Sequence, residues 1–321
     1  MAYSADIIAD SVSDNGDRIT TVIIEIPRMV WSEFLTHRDK SRNSASTRAI
    51  PTERQVMGVL DAPFVPDQWG INQPGMQPGE ALDAEQAEIA VTDWLRARDH
   101  AVIGAVALMG GTKNVRDEQL RERLIELRER YNYGPEVDAV AQAIHKQYAG
   151  RLLEPFMWHR AIVTATEWEN FFALRDNPLA QHEIQVIAHM IRMAYEQSQP
   201  RLLRQGEWHL PFIRDYERNL PFAQLIKMVV ARCARISYSN YGSGEPDPEK
   251  DVALYDMLLH DGHMSPFEHV ARPMTARELS MEDRDLRLRF SNFFGWWQHR
   301  QDIPHQENYA AILAARAGEE K

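Results

Sequence analysis

The segment from Thr36 to Pro51, THRDKSRNSASTRAIP, concentrates side chains that bind anions. It combines histidine, arginine, serine, asparagine and threonine, and Asp39 is its only carboxylate. Planar guanidinium groups and hydroxyl donors are what a phosphate group or an anionic ring requires. The segment is therefore a candidate anion site, and the alternative is a solvated loop with a helix cap.

Two other segments carry polar groups in compact patterns. HDGHMSPFEH (260–269) contains three histidines, which suggests a metal site, but their spacing is not that of common zinc ligands. Its Ser-Pro-Phe sequence instead predicts a turn that enters a strand. NFFALRDNPLAQHEIQ (170–185) brings Arg175, and RLLEP (151–155) brings Arg151. The alternative role of these two arginines is a surface ion pair.

The spacing of the polar residues in the first segment resembles the signature of the flavin-dependent thymidylate synthases, the ThyX family. The matching positions are His37, Arg38, Ser41, Asn43, Ser46 and Arg48. The segments 260–269, 170–185, 151–155 and ARCARISY (231–238) are similar to other parts of that family. Their order differs, because the 260–269 segment follows the His-Arg segment here. The sequence thus resembles a circular permutation, and a weak echo of residues 33–43 in residues 294–304 suggests a trimmed duplication.

The resemblance implies transfer of a one-carbon unit from methylenetetrahydrofolate to C5 of a pyrimidine deoxynucleoside monophosphate, dUMP, with FAD as cofactor and NADPH as reductant. It implies catalytic roles for Arg175, His263 and Ser46, and no metal. The implied substrate-binding residues are Glu33, Ser44, Ser46, Arg48, Arg151 and Arg175. The implied flavin-binding residues are His37, Arg38, Ser41, Asn43, Asn170, Ser237, His263, Ser265 and Glu268.

Several positions depart from the family pattern and leave the product open. Smaller or less charged residues stand at Thr36, Ser44, Ala49, Thr164 and Thr166, and Glu33 stands where the family usually has glutamine. An altered pocket would suit a methylase or hydroxymethylase of dUMP or dCMP that makes a modified DNA precursor. A non-catalytic nucleotide- or flavin-binding module is a further alternative, and a purely structural helical protein is the third.

The elements that must position these residues are mostly helices. Residues 18–26 (RITTVIIEI) predict a strand, and residues 178–197 predict an amphipathic helix. Helical patterns also cover 81–150, 222–235 and 249–260, and further strands are expected at 267–274 and 286–294. The predicted class is α+β (α/β), a ThyX-like fold of long helices on a small mixed or antiparallel sheet with permuted motif order. Residues 1–321 are predicted to form one catalytic domain, with 61–145 as an insertion or divergent helical region.

Composition limits the other function classes. The 321 residues contain 36 Lys+Arg and 47 Asp+Glu, a net charge of −11, which disfavours nucleic-acid binding. The single cysteine, Cys233, excludes a disulfide scaffold within one chain, and its apolar surroundings predict a core position. No signal peptide is visible, and the longest apolar stretch, 101–110, is too short for a membrane span, so we expect a cytoplasmic protein without membrane contact. A homo-oligomer, a tetramer, is implied by the resemblance alone.

Overall fold

A run of β-branched residues builds the central strand. The computed structural model describes residues 3–44, 46–134, 142–237, 247–280 and 292–304, together with residues 306, 310 and 314. The predicted strand at 18–26 is present as β2 (Arg18–Pro27), and β1 (Ser4–Ser13) forms an antiparallel hairpin with it. Thr, Val and Ile suit such a strand because their branched side chains pack well on a pleated surface.

The main sheet is mixed and five-stranded, with the order β3-β4-β2-β1-β5. The strand β4 (Trp158–Ala165) is antiparallel to β2 and to β3 (Ser41–Ser44). The strand β5 (Arg201–Leu203) joins β1 in parallel. A separate antiparallel pair consists of β6 (Ala271–Pro273) and β7 (Trp296–Gln298). The chain is thus an α+β fold, and β3 places part of the Thr36–Pro51 segment on the sheet.

The helices cover both faces of the sheet and add a peripheral layer. Their bounds are α1 (Trp31–Leu35), α2 (Thr52–Asp61), α3 (Ala84–Leu108), α4 (Glu118–Arg130), α5 (Lys146–Ala149), α6 (Glu169–Arg175), α7 (His182–Gln197), α8 (Phe222–Ala234), α9 (Pro248–His260) and α10 (Ala276–Ser280). The amphipathic pattern predicted for 178–197 is present as α7. In the part of the chain that the structure describes, no helix is long and apolar enough to span a membrane.

Alternation along the strands creates two different cores. Val22, Ile24 and Ile26 of β2 lie in the same core cluster as Ile184 and Ile187 of α7. The neighbouring position Ile23 belongs to a second cluster that includes residues of α8, α9 and the 3-10 segment Ser265–His269. This second cluster sets the end of α8 and the end of α9 beside β3, where the polar segments lie.

The helical region 61–145 shares a core with its flanks. Val56 of α2, Val102 of α3 and Leu124 of α4 pack in one cluster with Leu153 and Phe156, which precede β4. After α2 ends at Asp61, residues 62–79 contain no helix or strand, apart from an isolated bridge between Gly70 and Ala81. Its role as an insertion in a single catalytic domain stays a prediction.

A row of polar side chains crosses the sheet beneath the 3-10 segment 265–269. His209 shares hydrogen bonds with Ser11 Oγ (2.9 Å) and Thr21 Oγ1 (2.7 Å). Thr21 and Thr164 share one at 2.7 Å, and Thr164 shares the next with His269 Nδ1 at 2.8 Å. The two imidazoles are 1% and 0% exposed. These bonds hold 265–269 on the sheet and satisfy polar groups that would be costly to bury alone.

The duplication and permutation hypothesis is wrong, because its two proposed copies fold differently. Residues 33–43 contain the end of α1, an irregular stretch and the start of β3. Residues 294–304 contain β7 followed by the 3-10 helix His299–Asp302. The shared His-Arg dipeptide therefore occupies unrelated backbone settings. Most of the strand expected at 286–294 lies outside the described residues.

Candidate functional site

Two polar segments that are far apart in the chain line one cavity, called here the first cavity. Its volume is about 600 Å³, which is within the usual range for small-molecule sites. The helices α8 and α9 form its apolar wall. Its lining residues are Asn43, Ser44, Ser46, Ala49, Ala234, Arg235, Leu254, Met257, Leu258, Asp261, His263, Ser265 and Pro266. Five of these are predicted site residues: Asn43, Ser44, Ser46, His263 and Ser265.

Hydrogen bonds hold β3, the end of α8 and the turn after α9 in place around this cavity. Asn43 Nδ2 donates to the carbonyl of Cys233 at 2.9 Å, which ties β3 to the end of α8. The backbone N–H of His263 donates to Leu258 O at 2.9 Å and closes the turn after α9. Because Phe267 is fully buried in the second core cluster, the 3-10 segment 265–269 cannot lift from the sheet without exposing it.

The turn after β3 contributes Ser46 and Ala49 to the lining of this cavity. Gln55 Nε2 donates to the carbonyls of Thr47 (2.9 Å) and Ile50 (2.8 Å), so α2 holds the turn in shape. Thr47 Oγ1 donates to Glu154 at 3.2 Å, and Glu154 also pairs with Arg151 at 3.7 Å. Arg48 is exposed on the same turn. The predicted phosphate ligands Arg48 and Arg151 are thus connected through this turn and Glu154. Neither lines the cavity, and their contact with a phosphate stays a prediction.

A substitution outside the cavity tests whether Gln55 holds the turn after β3 in shape. Gly150 lies against Gln55, and a Cβ at Gly150 would approach Gln55 Oε1 to 2.5 Å and Nε2 to 2.9 Å. We expect Gly150→Ala to displace the Gln55 amide, lower the free energy of unfolding by about 1–3 kcal/mol and loosen the turn that carries Arg48. Urea unfolding measures the stability. Gly58→Ala, with no atom within 4 Å of the added Cβ, is the helical control and should not destabilise. Equal stability of the two variants would contradict this account of the turn.

His37 and Asn170 line a different cavity, called here the second cavity, of about 460 Å³. Arg175 Nε donates to His37 Nε2 at 2.9 Å, which assigns the proton of the neutral ring to Nδ1. Burial, with Arg175 as the next contribution, lowers the pKa of His37 to about 4. His37 is therefore neutral at physiological pH and fixed by Arg175. Arg175 lines neither cavity, so its contact with a pyrimidine stays a prediction.

The other predicted residues have varied positions. Ser41 is buried and accepts hydrogen bonds from Gln298 Nε2 (2.9 Å) and Asn292 Nδ2 (3.1 Å). The Glu268 carboxylate pairs with Arg300. Glu33 lines neither cavity, and its carboxylate accepts a hydrogen bond from the Ser32 hydroxyl at 3.2 Å. Arg38 is exposed. The side chain of Ser237 lies outside the described part of the structure.

Cys233 is a core residue, as the sequence predicts. It is 0% exposed, and burial raises the pKa of its thiol. A thiol in this setting stays protonated and out of reach of a ligand. Among the described residues, no group of three or more His, Cys, Asp or Glu side chains is placed to hold a metal ion, and His269 is engaged with Thr164 instead.

Sequence reasoning missed two cavity residues. Arg235 lines the first cavity and is held by the buried carboxylate of Asp251. Lys40 lines the second cavity and is buried. Both lie inside segments singled out from the sequence, but a basic residue gives no sign in the sequence that its side chain is buried. The ion-pair partner of Arg235 lies on α9, and the sequence does not reveal that pairing.

The nine residues assigned to one flavin do not surround one cavity. His37 and Asn170 line the second cavity, whereas Asn43, His263 and Ser265 line the first. Ser41 and Glu268 are already bonded to other side chains of the protein. This arrangement does not fit an FAD molecule, so the expectation of FAD, with NADPH as its reductant, is wrong.

Comparisons with known proteins also bear on the predicted family. No protein-family model matches the chain, and no curated protein matches it. Among solved structures, the chain is similar to a UMP/dUMP methylase, PolB from Streptomyces cacaoi, bound with 5-Br UMP. The TM-score is 0.40 and the identity 15%, over 61% of this chain and 89% of that chain, so the likeness by itself carries no function across. We therefore correct two expectations. The predicted membership of the flavin-dependent thymidylate synthase family is wrong, and so is the predicted ThyX-like fold with permuted motifs. The chain is an α+β protein with a mixed five-stranded sheet.

Proposed function

We propose that the protein is a nucleotide-modifying enzyme that binds UMP or dUMP in the first cavity and adds a one-carbon unit at C5 of the base. The observation that supports the proposal is the meeting of β3 and the turn after it with residues 261–266 around one cavity, which Arg235 also lines. A cavity of about 600 Å³ accommodates a nucleoside monophosphate, and mixed polar and apolar walls suit a base and sugar.

The proposed binding residues fall into two groups, one for the phosphate and one for the base. Arg48 and Arg151 would hold the phosphate, because guanidinium groups donate two parallel hydrogen bonds to its oxygens. Ser46, two residues before Arg48, lines the cavity and would add a hydroxyl donor. Asn43 and His263 also line the cavity, and their amide and imidazole would meet the base edge and C5. His263 is exposed there and is the candidate to take up the proton that leaves C5.

Methylenetetrahydrofolate is the carbon donor that we propose. It would supply both the carbon and the two electrons that convert a methylene into a methyl group, and would leave as dihydrofolate. The protein's own residues would bind and orient the base and exclude water from C5. Capture of water instead would yield a hydroxymethyl group, and dCMP in place of the uracil nucleotide remains an alternative substrate.

The first test is nucleotide mass spectrometry. The full-length protein is incubated with methylenetetrahydrofolate and an equal mixture of UMP, dUMP and dCMP. A product heavier than UMP or dUMP by CH₂, for a methyl group, or by CH₂O, for a hydroxymethyl group, supports the proposal. Binding of nucleotide without any product would overturn the catalytic proposal in favour of a binding module, and no binding would overturn both.

The phosphate contacts have their own prediction. Arg48→Ala and Arg151→Ala should each raise the Kd for dUMP by about tenfold or more, and the double variant by on the order of a hundredfold, because each removes a charged hydrogen bond. Isothermal titration calorimetry measures the change. Arg96→Ala is the matched control, since Arg96 is 56% exposed and paired with Asp93 on α3. Unchanged affinity for deoxyuridine in all variants would show that the loss is specific to the phosphate, whereas equal losses for nucleotide and nucleoside would contradict the assignment.

A further inference from the structure

Lys40 is a buried cation on the wall of the second cavity. The residue is 2% exposed, and its Nζ donates to Glu167 O at 3.3 Å. The same Nζ lies 4.5 Å from the ring centroid of Trp168 and 5.0 Å from that of Phe171. Glu167, Trp168 and Phe171 line the same cavity. The ammonium group is therefore enclosed by cavity-wall residues rather than extended into bulk water.

The described residues balance the positive charge of Lys40 only in part, through one carbonyl and two aromatic rings. An ammonium group has three N–H donors. The carbonyl of Glu167, at 3.3 Å, accepts a long and therefore weak hydrogen bond from this group. Among the described residues, no carboxylate lies within ion-pair distance of Lys40 Nζ. Burial lowers the pKa of Lys40 to about 8; Arg42 adds to the shift, whereas the carboxylates of Asp39 and Glu167 oppose it without cancelling it. A buried, unpaired charge is costly, and an anion that enters the cavity would remove that cost.

The rest of the lining narrows the class of anion. Four aromatic residues border the cavity, namely Trp168, Phe171, Tyr195 and Phe294. Its rim also carries Asp17, Asp39, Glu167 and Glu169, and its other strong cation, Arg18, is paired with Asp10. These carboxylates repel any anion, and they repel a doubly charged phosphate about twice as strongly as a singly charged carboxylate, so the ligand must place a single negative charge at Lys40. The aromatic walls suit an apolar, planar body.

We propose that the second cavity binds a small monocarboxylate with an apolar, planar body, whose carboxylate accepts hydrogen bonds from Lys40. The proposal is independent of nucleotide binding, because it concerns a different cavity and different residues. Asn170 on α6 also lines this cavity and offers an amide to the second carboxylate oxygen.

The test uses three probes of similar size on the full-length protein: hydrocinnamate, phenyl phosphate and hydrocinnamyl alcohol. Calorimetric titration should show saturable binding of hydrocinnamate, binding at least about tenfold weaker for the alcohol, and weaker binding of phenyl phosphate. Tighter binding of phenyl phosphate would overturn the assignment to a carboxylate. No binding of either anion at millimolar concentration would overturn the site itself.

Two variants connect the binding to Lys40. Lys40→Met keeps an unbranched side chain that is one atom shorter and removes the charge, and it should weaken hydrocinnamate binding by about tenfold to a hundredfold. Lys113→Met, at an exposed lysine, should bind as the unaltered protein does. Circular dichroism checks that both variants fold. Equal affinity of Lys40→Met and Lys113→Met would overturn the role of Lys40.

An NMR titration keeps the proposal testable if Lys40→Met repacks the cavity. The Cε resonance of Lys40, assigned by its loss in Lys40→Met, should titrate with a pKa of about 8 in the free protein. Saturation with hydrocinnamate should raise that pKa, because a neighbouring anion favours the charged amine. A pKa that does not change upon saturation would place the ligand elsewhere and contradict the proposal.

Discussion

Acidification from pH 7 to pH 5 is expected to lower the free energy of unfolding by several kcal/mol, well before the carboxylates titrate. Three histidines are almost fully buried: His159 (2% exposed), His209 (1%) and His269 (0%). Burial lowers the pKa of each to about 3. Arg28 contributes further at His159, and His209 contributes further at His269.

The sign follows from proton linkage. Each imidazole is neutral in the folded protein but protonates near pH 6.5 once unfolded, so the unfolded chain binds more protons between about pH 3 and pH 6.5. Stability from these groups is therefore complete above pH 6.5 and decreases as the pH falls through that window. For a shift from 6.5 to about 3, the loss at pH 5 is about 2 kcal/mol per histidine, an upper limit of about 6 kcal/mol for the three.

The row of hydrogen bonds explains why two of these rings, those of His209 and His269, stay neutral. His209 uses both ring nitrogens, on Ser11 and Thr21, and His269 shares its Nδ1 with Thr164. A hydroxyl has one proton to donate, so the row can order its protons in one direction without a charged ring. Protonation of either imidazole would break that order and place a charge among apolar neighbours.

The measurement is the urea midpoint at pH 7, 6 and 5. His209→Gln keeps a hydrogen-bonding side chain without a titrating ring, and it should reduce the loss between pH 7 and pH 5 by about 2 kcal/mol. His189→Gln removes an imidazole that is 53% exposed and should retain the pH dependence of the unaltered protein. An identical pH dependence in both variants would contradict the assignment of the acid sensitivity to buried histidines.

The sequence predicts local elements better than it predicts the site. The amphipathic repeat of Ile184, Ile187 and Ile191 identifies α7, because periodicity survives whatever the helix packs against. The strand β3 was not expected, since Ser41–Ser44 is polar and forms a strand only through its antiparallel pairing with β4. Pairing of that kind depends on residues far along the chain, which a local pattern does not contain.

The same limit applies to the functional residues. The family resemblance selected both Asn43 and His263, and the structure places them at one cavity. The resemblance also assigned His37 to the same ligand, although His37 lines a different cavity. A motif indicates which residue types occur together in the sequence; which side of a strand each one reaches is decided by the sheet.

Loss of Arg232 is expected to have the second large effect, a destabilisation of about 3–5 kcal/mol. Arg232 on α8 donates two hydrogen bonds to Glu217, at 2.6 and 2.7 Å, and one to Asp251 on α9, at 3.1 Å. The carboxylates of Glu217 and Asp251 are nearly inaccessible to solvent. Arg232→Met would leave both charges buried, with Glu217 deprived of its guanidinium partner.

The pKa of Glu217 indicates how strongly the network holds its charge. Burial alone would raise this pKa, but hydrogen bonds from the Arg232 side chain and the Arg214 backbone outweigh it and hold the pKa below its usual value. Stability from Glu217 is therefore fully present above its unfolded pKa of about 4.5 and is lost only as the pH falls below that value, at the acid end of the histidine window. Arg232→Met should be most damaging at neutral pH, where Glu217 is charged.

Urea unfolding at pH 7 tests the network against a surface ion pair. Arg218 pairs with a fully exposed Asp215, so Arg218→Met should change the free energy of unfolding by no more than about 0.5 kcal/mol. The double variant Arg232→Met with Glu217→Gln should recover part of the loss, because the orphaned carboxylate is neutralised. Asp251 also holds Arg235 at the first cavity, so the network connects the packing of α8 and α9 to the proposed nucleotide site. If Arg232→Met costs no more than Arg218→Met, the buried pairs do not hold these helices together, and the fixed position of Arg235 loses its physical basis.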